Sequence, residues 1–190
     1  MVDNPYEPST TLWEKWGASN LTTDQGDSSR NHIMFGSISA FFWKHLAGIA
    51  PAAAGWTKLR IEPKFGEVCD HPAAPRPDSR SRVLSSVEGT LDTVAGQVST
   101  SWELAEIDDS SVSATAILRV TVPDGAVGGA EVVLPCVGNA TVITELRSGT
   151  VVWEHDTFIA ASVALAGERF EHGGVVVHVA SGEYHFVRSG

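Results

Sequence analysis

Residues 112–123 read VSATAILRVTVP, and this stretch decides the fold. Val112, Ala114, Ala116, Leu118, Val120 and Val122 alternate with Ser113, Thr115, Ile117, Arg119 and Thr121. Side chains along a strand point to opposite faces with period two, so this alternation is a strand with one face on a core and the other toward water. Working outward, the same period recurs. Leu59 and Ile61 flank Arg60, and Val98, Thr100, Trp102 and Leu104 alternate with Gln97, Ser99, Ser101 and Glu103. The pairs Val132/Leu134 and Val151/Trp153, the set Val175/Val177/Val179 and the pair Tyr184/Phe186 follow the rule. Turn pairs separate them: Asp124-Gly125, Gly128-Gly129, Ser148-Gly149, Gly173-Gly174 and Ser181-Gly182. Short alternating segments with such breaks predict a mainly β protein, an antiparallel and jelly-roll-like β-sandwich. Residues 67–82, EVCDHPAAPRPDSRSR, hold three prolines and no periodicity, which predicts a long loop. No internal repeat or low-complexity tract is present.

The N-terminal part reads differently. Four of the six tryptophans, Trp13, Trp16, Trp43 and Trp56, lie in the first 56 residues. Residues 30–47, RNHIMFGSISAFFWKHLA, predict a short helical segment ahead of the sandwich. Asp27, Ser28 or Ser29 would cap it, and Gly48 and Pro51 would end it. Ile33, Met34, Phe35, Ile38, Phe41, Phe42, Trp43 and Leu46 wrap most of its circumference, and a helix apolar nearly all round requires neighbours on several sides. A second short helix over residues 11–16 would supply one and a sheet another. The remaining apolar surface calls for self-association, giving a dimer, or for a protein partner. The expected division is a helical segment over 1–55 and a compact sandwich over 56–190.

Composition narrows the functional classes. A chain of 190 residues suits one domain, or one plus a fragment. With 13 Lys+Arg against 23 Asp+Glu the net charge is −10, which argues against nucleic acid and against an anionic membrane surface as partners. Hydrophobic residues at 43% and charged residues at 19% exclude a disordered chain. There is no run of about 18 apolar residues, so no transmembrane segment is predicted. The polar start MVDNPYEPSTT does not read as a signal peptide, and the compartment stays open. Cys69 and Cys136 are either free thiols or one bridge. The glycosylation triplets at Asn20 and Asn139 are short enough to arise by chance. Nucleotide, zinc-protease and serine-hydrolase motifs are missing. The seven histidines, at 32, 45, 71, 155, 172, 178 and 185, form no helical pair. His178 and His185 either meet across a hairpin at Ser181-Gly182 or are ordinary exposed strand residues. No metal or other cofactor is predicted.

The unusual stretch is residues 9–17, STTLWEKWG, where Trp13 and Trp16 flank Glu14. Two readings stand. Trp13 and Trp16, three apart, pack one helical face into a core with Glu14 solvated. Alternatively, aromatic walls stack on the apolar face of a sugar ring and a partly desolvated carboxylate between them serves as acid or base.

The order of motifs adds a resemblance. TTLWEKW at 10–16, SRNHIMFGSISAFFWKHLAGIAP at 29–51 and GWTKLRIEPKFG at 55–66 are followed by a G-x-V-x-T-x-W strand at 96–102, then VTVP at 120–123 and VVLP at 132–135. This series resembles the C-terminal end of bacterial and fungal α-L-rhamnosidases, glycoside hydrolase family 78. The resemblance implies the last part of an (α/α)6 barrel followed by a C-terminal β-sandwich. It also implies an enzyme that hydrolyses terminal α-L-rhamnosides with inversion. Matching that family's motifs makes Glu14 the general base and His32 a sugar contact, with Trp13, Trp16 and Asn31 alongside. The family's general acid and most of its sugar-contacting residues lie earlier in the barrel, in a stretch this chain does not contain. Half of the catalytic pair implies a truncated piece that is inactive alone, because leaving-group protonation is worth ~10²–10⁴-fold. The alternative is a stand-alone, non-catalytic β-sandwich that binds carbohydrate or a protein partner. In that case Trp153, Phe170 and Tyr184 either form a shallow sugar platform or, as the register of Trp153 and Tyr184 suggests, pack in the core.

Overall fold

The structure, a computed structural model, describes residues 9–15, 28–64, 84–105, 115–134, 141–159, 164, 166–170 and 174–189. It divides into two compact units, Met1–Phe42 and Trp43–Gly190.

The second unit is the sandwich. Its described residues form β1 (Ile49–Pro51), β2 (Leu59–Ile61), β3 (Ser86–Thr93), β4 (Gly96–Ala105), β5 (Thr115–Val122) and β6 (Ala130–Leu134). They continue with β7 (Val142–Glu145), β8 (Thr150–Glu154), β9 (Thr157–Phe158), β10 (Ala166–Phe170), β11 (Gly174–Val179) and β12 (Gly182–Ser189). One sheet has the order β1-β2-β6-β11-β10 and the other β3-β4-β5-β12-β7-β8-β9. The pairing is antiparallel throughout these strands except where β2 runs parallel to β6. A single apolar cluster joins the two sheets. Ile49, Leu59, Ile61, Val132, Leu134, Val175 and Val177 come from the first, and Val98, Trp102, Leu118, Val120, Ile143, Val152 and Phe186 from the second. The alternation in residues 115–122 appears in the burial of β5, where Ala116, Leu118, Val120 and Val122 are buried and Arg119 is exposed.

Two details depart from the sequence reading. On β8 the expected inward pair was Val151 and Trp153, whereas Val152 and Trp153 are the buried residues. A register shift between Ile143 and Thr144 on the neighbouring strand breaks the strict period. The turn at Ser181-Gly182 does not close a hairpin. It carries the chain from β11 in one sheet to β12 in the other, so His178 and His185 stand on different sheets. His178 lies 3.6 Å from Glu168 instead. The predicted loop over 67–82 lies outside the described residues, as do Cys69 and Cys136.

The predicted helix is present but is not one α-helix. A 3-10 stretch over Ile33–Ser37 leads into α1 (Ile38–Phe41) and then into a wider π-type stretch over Phe42–Leu46. His32 at its start makes no side-chain cap, and Gly36, Ser37, Ser39 and the aromatic run Phe41-Phe42-Trp43 are weak helix formers. The far end is held by the sandwich. Trp102 Nε1 donates to the Leu46 carbonyl (2.7 Å) and Thr100 Oγ1 to that of Ala47 (2.8 Å), so two terminal helix carbonyls are satisfied from β4. Gly48 then stops the helix in a left-handed conformation (φ 76°), and a Cβ there would lie 2.1 Å from the Pro63 nitrogen. Gly89 in the middle of β3 leaves room for Trp43, since a Cβ at 89 would meet its ring at 3.1 Å. The second short helix expected over 11–16 is not found in its described part. Ser9–Lys15 has no helical turn.

A buried carboxylate fixes the β7–β8 corner. Glu145 is 2% exposed, at the end of β7. Its Oε1 accepts from the backbone N–H of His185 (3.0 Å) and Arg147 (3.2 Å), and its Oε2 from the N–H (2.9 Å) and hydroxyl (2.7 Å) of Ser148. Burial works to raise its pKa, but these donors outweigh burial and hold it below the ordinary carboxylate value. On the other sheet, Glu131 is held low by Lys58 and Arg60. Glu62 is held low by Lys64 and Arg60 despite its partial burial. Depressed folded-state values mean that these groups contribute stability above the unfolded value of 4.5, and that the contribution is lost as the pH falls through the folded values. Thermal melting is therefore expected at steadily lower temperature on acidification below that value. Glu145→Gln should cost about 1–3 kcal/mol at neutral pH and give a shallower acid dependence. An acid dependence as steep as that of the parent chain would contradict this assignment.

Candidate active site

The first unit brings two short segments together. Glu14 N donates to the Ser29 carbonyl (2.8 Å) and His32 N to the Leu12 carbonyl (2.6 Å), so residues 12–14 and 29–32 are tied by backbone bonds. The Thr11 hydroxyl donates to the Arg30 carbonyl and accepts from Trp13 Nε1 (3.2 Å). Ser9 Oγ donates to the Thr11 carbonyl (2.5 Å) and begins the turn. These bonds satisfy backbone and side-chain polar groups that a helix would otherwise have paired, and residues 9–15 bend rather than coil.

Glu14 is exposed, and its carboxylate is positioned. Oε2 accepts from the Ser29 backbone N–H at 2.9 Å, and among the described residues Oε1 has no hydrogen-bond partner. One oxygen thus fixes the rotamer and the other is free to accept. The Arg30 guanidinium carbon lies 5.4 Å from the centroid of the Trp13 ring, a cation–π distance that orients both side chains. His32 packs its ring on Phe35 at 5.0 Å between centroids with a 51° tilt. Asn31 is exposed, and its backbone N–H donates to Ser29 Oγ (3.3 Å). Of the sequence candidates, Glu14, Trp13 and His32 therefore belong to one bonded cluster, whereas Trp16 lies outside the described residues. Sequence reasoning missed Ser29, which anchors the carboxylate, and Arg30, which stacks on Trp13. Both act through pairing between distant segments, for which no local pattern exists.

The helical stretch after His32 exposes large apolar side chains: Ile33 (76%), Met34 (62%), Ile38 (55%) and Phe42 (52%), with Phe35 and Phe41 close behind. Scattered exposed apolar residues are ordinary, whereas here six fall within ten residues of sequence. Of the aromatic residues considered for a sugar platform, Trp153 is 3% exposed and belongs to the core, and Tyr184 is half-buried against it. The side chain of Phe170 lies outside the described residues. Among the described residues no group of three or more His, Cys, Asp or Glu forms a candidate metal site. No helix there is long and apolar enough to cross a membrane.

Residues 48–147 match the family model described as the bacterial alpha-L-rhamnosidase C-terminal domain. An alpha-L-rhamnosidase of Formosa agariphila is 30% identical over 126 residues, 65% of this chain and 11% of the relative. One from Alteromonas sp. (strain LOR) is 28% identical over 115 residues, 59% of this chain and 11% of the relative. Among solved structures, the alpha-L-rhamnosidase of Dictyoglumus thermophilum superposes with a TM-score of 0.63 at 27% identity, covering 96% of this chain and 16% of that one. The Streptomyces avermitilis enzyme complexed with L-rhamnose gives 0.56 at 26%, covering 94% and 14%. The chain thus spans about a tenth of the length of the curated relatives it matches.

Proposed function

This chain belongs to the bacterial alpha-L-rhamnosidase C-terminal domain family, and from that membership we propose that it forms the C-terminal portion of an inverting α-L-rhamnosidase. In this reading the unit Met1–Phe42 completes the catalytic domain and the sandwich unit Trp43–Gly190 is the accessory domain. Glu14 is the general base. Water gives a proton to its carboxylate while the water oxygen attacks the anomeric carbon. The glycosidic oxygen leaves with a proton from an acid on the opposite face of the sugar. His32, Trp13 and Trp16 line the sugar, with Trp13 stiffened by Arg30. The observation that carries the reading is the state of the Glu14 carboxylate, with Oε2 anchored on the Ser29 N–H and Oε1 without a partner among the described residues. A base needs this geometry, a fixed rotamer with an accepting oxygen turned out.

The acid lies outside this chain, so the chain by itself is inactive, and the rest of the catalytic domain completes the site from the same or another polypeptide. The exposed apolar residues of the 33–42 stretch support this, because they need cover of that kind. A second copy of the chain is the competing cover.

The test is hydrolysis of an aryl α-L-rhamnoside. Two proteins are compared: the chain alone, and a hybrid in which it replaces the corresponding C-terminal stretch of the Streptomyces avermitilis enzyme. No turnover by the chain and clear turnover by the hybrid is the expected result. Turnover by the chain alone that survives Glu14→Gln would overturn the reading.

A further inference from the structure

The sandwich carries a second polar site, built from residues that the catalytic reading does not use. Along β3, β4, β5 and β12 the register places Glu88 opposite Ser101, Ser101 opposite Arg119 and Arg119 opposite His185. One step along the strands, Ser99 faces Thr121 and Thr121 faces Glu183. Period two puts these side chains on the face opposite to Trp102, Leu118 and Phe186, which are buried in the core. An open cavity of about 330 Å³ lies over them, with Arg147 of the β7–β8 turn also in its lining. This volume is at the lower end of the range for small-molecule sites, ~300–1,000 Å³.

The chemistry of the lining selects a class of ligand. Each cation already has its own carboxylate, Arg119 with Glu103 at 3.2 Å and Arg147 with Glu183. An anion therefore gains little here, since it would compete with two carboxylates for paired guanidinium groups. The outward positions of the two rows are Glu, Ser, Arg, His and Thr, and with Tyr184 beside them the groove offers carbon surface as well as polar groups. What remains is a floor of hydroxyls between side-by-side donors and acceptors, which suits vicinal hydroxyl groups that donate and accept at once. His185 adds to this. Its Nε2 is shut off from solvent and has no hydrogen-bond partner. Burial and the facing Arg119 hold its pKa below the usual histidine range, against the opposing pull of Glu145 and Glu103. With its pKa held low, the ring lines the groove as a neutral group and adds no charge that would favour an anion.

We propose that this groove on the outer face of the seven-stranded sheet, floored by Ser99, Ser101 and Thr121 and flanked by Arg119, Glu183 and His185, binds a neutral polyhydroxylated ligand of mono- or disaccharide size. The proposal uses none of the residues of the catalytic reading and stands or falls independently of it.

The experiment is a titration of the isotope-labelled full chain followed by NMR, with L-rhamnose, with D-glucose and with inorganic phosphate as separate probes. The expected result is that a sugar shifts the His185 ring signals and the amides of β4, β5 and β12, while phosphate leaves them in place. Ser101→Tyr, which fills the groove from an outward strand position, is expected to weaken this binding at least ~10-fold with an unchanged melting temperature. Should that variant fail to fold, the shift map of the parent chain decides alone. Shifts confined to residues 9–15 and 28–42 would overturn the groove while supporting a sugar site at Glu14. Groove shifts with phosphate alone, no groove shift with either sugar, or sugar binding unaffected by a folded Ser101→Tyr would each overturn it as well.

Discussion

Glu14→Gln is expected to lower kcat by about 10²–10⁴-fold in an enzyme completed around this chain, with KM nearly unchanged. The amide keeps the side-chain oxygen that accepts from the Ser29 N–H, so the loop tying residues 12–14 to 29–32 survives. What is lost is the capacity of the second oxygen to take a proton from water. Ground-state contacts to the sugar are untouched, which is why the loss falls on kcat. Steady-state kinetics on an aryl α-L-rhamnoside, with melting curves to verify folding, measure it. A change below ~10-fold would place the base elsewhere.

The largest effect on stability is expected from Trp102→Ala. Trp102 is fully buried at the centre of β4, opposite Leu118, and its Nε1 caps the Leu46 carbonyl at 2.7 Å. Removing a core aromatic side chain costs about 3–5 kcal/mol through lost burial and the cavity left behind. The orphaned Leu46 carbonyl adds to this loss. Domains of this size have about 5–15 kcal/mol of total stability, so the substitution consumes a large share of it. Trp102→Phe keeps most of the ring and gives up the hydrogen bond, and should lose distinctly less. Urea unfolding of the three proteins separates the packing and capping contributions.

The strands that sequence revealed are those whose inner face is made by their own side chains. β4, β5 and β12 alternate because one face meets the opposite sheet and the other meets solvent, whereas in β6 and β11 the inward valines are joined by Val133 and Val176, which are buried on the other face. β3 was not legible, and its composition shows why. Its inward positions are Val87, Gly89 and Leu91, and the missing side chain at 89 is supplied by Trp43 from elsewhere in the chain. β8 misled because a register shift puts two consecutive residues inside. β1 was hidden because three residues ending in proline read as the stop of the helix before them. The helix itself was located, but its change from 3-10 to α to π geometry is set by weak helix formers and by caps from β4, neither of which produces a periodic signal. At the candidate active site, Glu14 and His32 were legible only as an ordered motif series shared with a family. Composition and spacing left Glu14 open between a solvated carboxylate and a catalytic one. The anchoring by Ser29 and the groove on the sheet surface arise from pairing across distant segments, which a linear pattern does not record.

The role of Glu14 is tested most directly by azide rescue of Glu14→Ala in the completed enzyme. Azide attacks the anomeric carbon without giving up a proton. Its nitrogen forms the new bond as the aryl oxygen leaves with the acid's proton, so a site lacking only its base should regain turnover. The account predicts rescue, with β-L-rhamnosyl azide as the product. A folded, rhamnose-binding variant that azide does not rescue, or that yields the α-azide, would contradict Glu14 as the base of an inverting hydrolysis.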